Sequence, residues 1–179
     1  LIVGGVFYDG NDIYIGTNDG LLHSSNGGSS FVVMPTTGIA AGQVIWNFAG
    51  GKNGGTTRFT CIASDIGDTY NGIKPWDYYG FAKAVYTMDN ANGTWVDRSS
   101  GINFSNDFIM YAAMSWNDVN TIYLGGNDDA NGAPLVLRST TGGTNWSSVY
   151  QTINNANITT GWEGYQGDKN FGFKRNTNN

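Results

Sequence analysis

The sequence predicts an all-β chain, part of a β-propeller of four-stranded antiparallel blades, with about three blades and the start of a fourth. Three observations carry this expectation: an internal repeat, short strand-like segments parted by turn signals, and an aromatic, weakly charged composition. The repeat runs from Asp12 through Tyr14, Asn18 and Asp19 to Leu21, Ser24, Gly28 and Phe31. It recurs from Asn120 through Tyr123, Asn127 and Asp128 to Leu135, Ser139, Gly143 and Trp146. A looser copy passes through Arg58, Cys61, Asp65, Tyr86, Thr87, Asp89 and Gly93 to Trp95. The closing aromatics Phe31, Trp95 and Trp146 stand 64 and 51 residues apart, intervals that suit a four-stranded unit with loops of variable length. Such a unit cannot bury its apolar face alone and must stack on its neighbours.

Taken in order, the first blade (1–36) contains Val6 to Tyr8, Ile13 to Gly16, Leu21 to Ser24 and Phe31 to Met34. These segments are short, rich in branched and aromatic residues, and separated by Asp9-Gly10, Asn18-Asp19-Gly20 and Asn26-Gly27-Gly28. Turns of that composition fold successive strands into hairpins. The second blade (37–100) repeats the pattern around a long insertion at 65–80, and the third (101–152) repeats it again. Residues 153–179 read as a connection and a new first strand near Phe171-Gly172-Phe173. Closed propellers have at least four blades and often six to eight, so the remaining blades are expected from a longer chain. A first residue other than Met also points to a processed or excerpted chain.

Composition excludes several functions. Only 13% of residues are charged, about half the usual share of roughly 25%, while 14% are aromatic; a disordered chain has the opposite balance. The net charge is −5 and the nine Lys and Arg are scattered, so there is no basic footprint for nucleic acid. No run of 18 apolar residues suggests a membrane-spanning helix, and Leu1-Ile2-Val3 is too short for the apolar part of a signal peptide. Cys61 and His23 are the sole residues of their kinds, which rules out an internal disulfide, the usual zinc sets and His-based triads. No metal or cofactor is expected. Asn takes the place of charge, with 22 residues, a surface suited to a secreted or cell-surface bacterial protein.

The turns Ser24-x-Asn26-x-Gly28-x-x-Phe31 and Ser139-x-Thr141-x-Gly143-x-x-Trp146 resemble the Asp-box, or BNR repeat, of sialidase-like propellers. Thr87-x-Asp89 through Trp95 is similar, with one extra residue. A hydroxyl and a short polar side chain tie back such a turn, Gly supplies positive φ, and the aromatic packs beneath the hairpin. The resemblance implies a role in stabilising the fold.

It also implies that the loops joining second to third strands, and blade to blade, gather on the face opposite these turns, where the family keeps its substrate cleft. The long loop at 65–80 holds Asp65, Asp68, Trp76, Asp77, Tyr78 and Tyr79, and the connection at 151–170 holds Trp162, Glu163, Tyr165 and Asp168. Aromatic faces stack on the C–H surfaces of sugar rings while carboxylates take their hydroxyls, so these residues are candidate contacts to a polysaccharide or other glycan. Long loops in compact repeats usually carry function.

Ile62-Ala63-Ser64-Asp65-Ile66-Gly67, followed by Tyr86-Thr87-Met88-Asp89 and Gly93-Thr94-Trp95, resembles the catalytic blade of glycoside hydrolase family 74, the xyloglucan-cleaving enzymes. The resemblance implies that Asp65 is one of two catalytic carboxylates in an inverting reaction; the other comes from a second propeller and has no match here. Ala63 replaces the family's Arg, Asp68 replaces its second Gly, and an insertion follows. Sialidase chemistry needs an Arg triad, and Arg58, Arg98, Arg138 and Arg175 do not recur at a matching loop position. Two functions stand: a glycoside hydrolase using Asp65, or a noncatalytic glycan- or protein-binding propeller of a surface or extracellular assembly.

Overall fold

Tight turns reverse the chain at short intervals, and the computed structural model, which describes residues 1–71, 81–128 and 134–151, shows three four-stranded antiparallel sheets. The first sheet comprises β1 (Val3–Asp9), β2 (Asp12–Thr17), β3 (Gly20–Ser24) and β4 (Val32–Met34) in that spatial order. The second comprises β5 (Gln43–Asn53), β6 (Thr56–Asp65), β7 (Ala82–Asp89) and β8 (Val96–Asp97), with helix α1 (Ile66–Asn71) following β6. The third comprises β9 (Asp107–Ser115), β10 (Asp118–Asp128), β11 (Pro134–Ser139) and β12 (Ser147–Gln151). Each sheet is a meander, and the first strands β1, β5 and β9 lie side by side. This all-β arrangement is that of part of a β-propeller. The long loop expected at 65–80 opens with the short helix α1.

Alternation along the strands gives each sheet two apolar sides, and packing of successive sheets makes the core. Phe7, Tyr14 and Leu21 of the first sheet meet Phe48, Phe59 and Tyr86 of the second. The Tyr14 ring lies 4.6 Å from Phe59 and stacks on His23 at 4.4 Å; His23 Nε2 also contacts Asp12 Oδ1 at 2.8 Å, so the lone histidine is a packing residue. Ile62 and Val85 of the second sheet meet Ile109, Leu124 and Leu137 of the third. The first strands approach so closely that a Cβ at Gly5 would collide with the Phe48 carbonyl oxygen, and one at Gly51 with that of Ser115. Asn47, beside a bulge in β5, donates from Nδ2 to the Gly4 carbonyl at 3.0 Å and accepts from the Ala112 N–H at 2.7 Å. One side chain thus joins the first strands of all three sheets.

The turns after β3 and β11 share one bonding scheme. Ser24 Oγ accepts from the N–H of Gly28 at 2.9 Å and of Asn26 at 3.4 Å. Ser139 Oγ accepts from Gly143 at 2.8 Å and from Thr141 at 3.1 Å. Asn26 Oδ1 and Thr141 Oγ1 each accept from an N–H four residues on, Ser30 at 2.9 Å and Asn145 at 3.0 Å. Gly27, Gly28, Gly142 and Gly143 all have positive φ.

The looser copy is a different turn. In the strand register Ile13 faces Ser24, Ile122 faces Ser139 and Phe59 faces Met88. Met88, not Thr87, therefore holds the serine's place, and Trp95 follows it by seven residues, as Phe31 follows Ser24 and Trp146 follows Ser139. The spacing contains no extra residue. A shift of one position turns a side chain to the opposite side of the sheet, and there Thr87 Oγ1 accepts from Arg98 Nε at 3.1 Å. Asp89 accepts from Arg58 Nε at 2.6 Å and Nη2 at 2.8 Å. Without a hydroxyl at Met88 the turn places Asn90 and Ala91, not a glycine pair, at positive φ.

Candidate functional site

In each meander β2, β6 and β10 end, and β3, β7 and β11 begin, at the end of the sheets opposite the serine-tied turns. Asp65 ends β6 at this end, with Asp68 in the first turn of α1, and both side chains are half-exposed. Lys83 Nζ, entering on β7, stands 3.3 Å from Asp65 Oδ2 and 3.9 Å from Asp68 Oδ2. The two carboxylates share one counter-ion.

The support beneath is polar and buried. Ser64 Oγ lies 2.6 Å from Thr69 Oγ1, which donates to the Asp65 carbonyl at 3.1 Å. The Ile66 N–H donates to the Gly42 carbonyl at 2.9 Å, tying the start of α1 to the segment entering β5. Gln43, the cross-strand partner of Asp65, accepts the Tyr86 hydroxyl at 2.9 Å, and that hydroxyl accepts the Ala40 N–H at 3.2 Å. Burial pushes the Tyr86 phenol above its ordinary value, so it remains a donor at neutral pH. Between the first and second sheets at this end lies a cleft of about 210 Å3, lined in part by Asn18, Asp19, Gln43 and Ile66.

Sequence reading treats Asn18, Asp65 and Asn127 alike as strand-end residues; Asp65 does end β6, but the register matches the three sheets differently. Counting from the matched positions Ile15, Cys61 and Leu124, Ser64 falls with Asn18 and Asn127, and all three are buried. Asp65 is matched with Asp19, one residue farther out and clear of the core. The structure thus brings Asp65 and Asp68 together and adds Lys83, which sequence reasoning missed. Its signal is the strand pairing itself, since the next residue back, Ala82, pairs with Ser64. Trp76, Asp77, Tyr78, Tyr79, Trp162, Glu163, Tyr165 and Asp168 lie outside the described residues.

A larger cavity of about 650 Å3 lies along the other end of the first strands, lined in part by Val6, Tyr8, Asp9, Lys52 and Trp116. Lys52 and Asp9 form an ion pair across it. Among the described residues no helix is long and apolar enough to cross a membrane.

No protein-family model matches the chain, and no curated protein matches it. Among solved structures it is similar to one described as "YCF48 bound to D1 peptide", with 11% identity and a TM-score of 0.25 over 82% of this chain and 67% of that one.

Proposed function

We propose that the chain forms part of a secreted, carbohydrate-binding β-propeller whose glycan surface is centred on Asp65, Asp68 and Lys83. The observation that carries this reading is their arrangement. Two half-exposed carboxylates and an ammonium stand at the loop-bearing end of the sheets, offering acceptors and donors to sugar hydroxyls. Trp76, Tyr78 and Tyr79 follow Asp68 by 8 to 11 residues in the sequence and are the stacking surfaces of this reading.

Hydrolysis is the second reading, favoured by the likeness of Asp65-Ile66-Gly67 to the catalytic blade of family 74 and of the Ser24 and Ser139 turns to the Asp-box. In that reading Asp65 is one of two carboxylates and the other lies beyond this chain. A panel of soluble polysaccharides offered to the full-length protein separates the two. Under the binding reading the protein retains a glycan without releasing reducing ends, and Asp65→Ala and Lys83→Ala each weaken retention about tenfold, equivalent to about 1.4 kcal/mol. Release of reducing ends that Asp65→Ala abolishes while retention persists establishes the hydrolase instead. Neither binding nor cleavage of any glycan would sink both.

A further inference from the structure

We propose that Asn53 is a self-modification site, whose side-chain amide is lost to attack by the backbone nitrogen of Gly54. The proposal does not rest on the glycan reading. An asparagine followed by glycine is prone to this reaction, because asparagine is chemically labile and a residue without Cβ leaves its backbone nitrogen unshielded. Three such pairs lie wholly within the described residues: Asn26-Gly27, Asn53-Gly54 and Asn92-Gly93. The fold treats them differently. Asn26 Oδ1 accepts from the Ser24 hydroxyl and the Ser30 N–H, and Nδ2 donates to Ser30 Oγ, each at 2.9 Å. Its nucleophile is tied as well, since the Gly27 N–H donates to the Asn11 carbonyl at 2.9 Å. Asn92 keeps one tie, Oδ1 accepting from the Thr94 N–H at 2.8 Å, and a Cβ on Gly93 would touch the Pro35 ring.

Asn53 has no such restraint. It is exposed at the end of β5 and pairs with Thr56 across the two-residue turn Gly54-Gly55. Neither its side chain nor the Gly54 N–H has a hydrogen-bond partner among the described residues. A Cβ at Gly54 or Gly55 would meet nothing within 4 Å, so the space over the turn is open to the swinging side chain. In the reaction the Gly54 nitrogen gives its proton to hydroxide and bonds to Asn53 Cγ, and the Cγ–Nδ2 bond breaks. Ammonia leaves with a proton from water, and a cyclic imide remains. Water then opens either imide carbonyl, leaving an aspartate or a β-linked isoaspartate at position 53; water is consumed and nothing is oxidised or reduced. The product alters its surroundings. Lys52 pairs with Asp9, and these two with Gly54 line the cavity of about 650 Å3. Their charges balance, so a carboxylate at position 53 makes this end of the first strands net negative.

Incubation of the full-length protein in mildly alkaline buffer, followed by tandem mass spectrometry of its proteolytic peptides, tests this. The amide-to-acid mass change should accumulate at Asn53, while Asn26 and Asn92 convert about tenfold more slowly or less, as a reaction that waits on local opening does. In concentrated urea the ties at Asn26 and Asn92 are gone, and the three rates should agree to within about a factor of two. Conversion of Asn26 or Asn92 as fast as Asn53 in the native protein overturns the proposal. So does an Asn53 that stays intact while its rate in urea is measurable. A ranking that persists unchanged in urea also overturns it, because the order would then come from the flanking sequence and not from the fold.

Discussion

Ser24 and Ser139 show how much a single residue can reveal through its neighbours. Each is buried and each hydroxyl gathers two backbone N–H groups. Every member of these turns lies within seven residues in the sequence, so the motif could be read from spacing alone. Ser139→Ala leaves the buried Gly143 N–H without its acceptor. It should lower stability by about 1–2 kcal/mol, the usual cost of an unmet buried hydrogen bond, seen as a lower urea midpoint with unchanged slope. Thr87 resembles these serines in sequence but lies on the other side of its strand, because side chains alternate along a strand and the seven-residue spacing to the closing aromatic belongs to Met88. The same one-residue difference separates Ser64, matched with Asn18 and Asn127, from Asp65.

At the scale of elements, ion pairs and close backbone contacts decide how one strand meets the next. Arg58 on β6 binds Asp89 on β7 and also donates from Nη1 to the Val119 carbonyl and Asn120 Oδ1, each at 3.2 Å. It therefore clips the second sheet to the third. The paired hydrogen bonds from Arg58 hold the Asp89 carboxyl below its ordinary value of 3.8. A depressed carboxyl contributes stability that is fully present above the unfolded value and lost as pH falls through the folded one. Because Asp89 is partly solvated, Asp89→Asn should cost only about 1 kcal/mol at pH 7. Urea melts at a series of pH values should show that difference shrinking below about pH 4 and vanishing in stronger acid; a difference independent of pH would refute the assignment. Arg58 and Asp89 lie 31 residues apart, and the sequence pattern marks both strands without naming the pair.

Across the whole molecule, three sheets with side-by-side first strands need something to hold those strands in register. Asn47 supplies part of it, bonded to Gly4 and Ala112 at sequence separations of 43 and 65 residues. Asn47→Ala removes both bonds at once and should cost about 2–3 kcal/mol, with the larger effect on exchange protection of the Ala112 amide. A loss confined to β5 would argue that the sheets hold together by apolar packing alone. The four strands foreseen in the first sheet all form, the first three extended by one to three residues at their ends and the fourth beginning one residue later, at Val32, because their alternation and turn residues agree with one another. The tie through Asn47 was not foreseeable, since nothing in its local sequence separates it from the other 21 asparagines.

What the sequence determined by itself was whatever operates over short distances: all-β character, the repeat, the glycine turns with positive φ and the serine-tied hairpins. Sterics and local hydrogen bonding act within a few residues, and those residues are adjacent in the chain. Tertiary structure alone decided which side of each sheet faces its neighbour and that Lys83 joins Asp65 and Asp68. Each of these depends on strand register, and register is fixed by burial of whole faces against another sheet. A side chain's role at that level is settled by what stands across from it, many residues away along the chain.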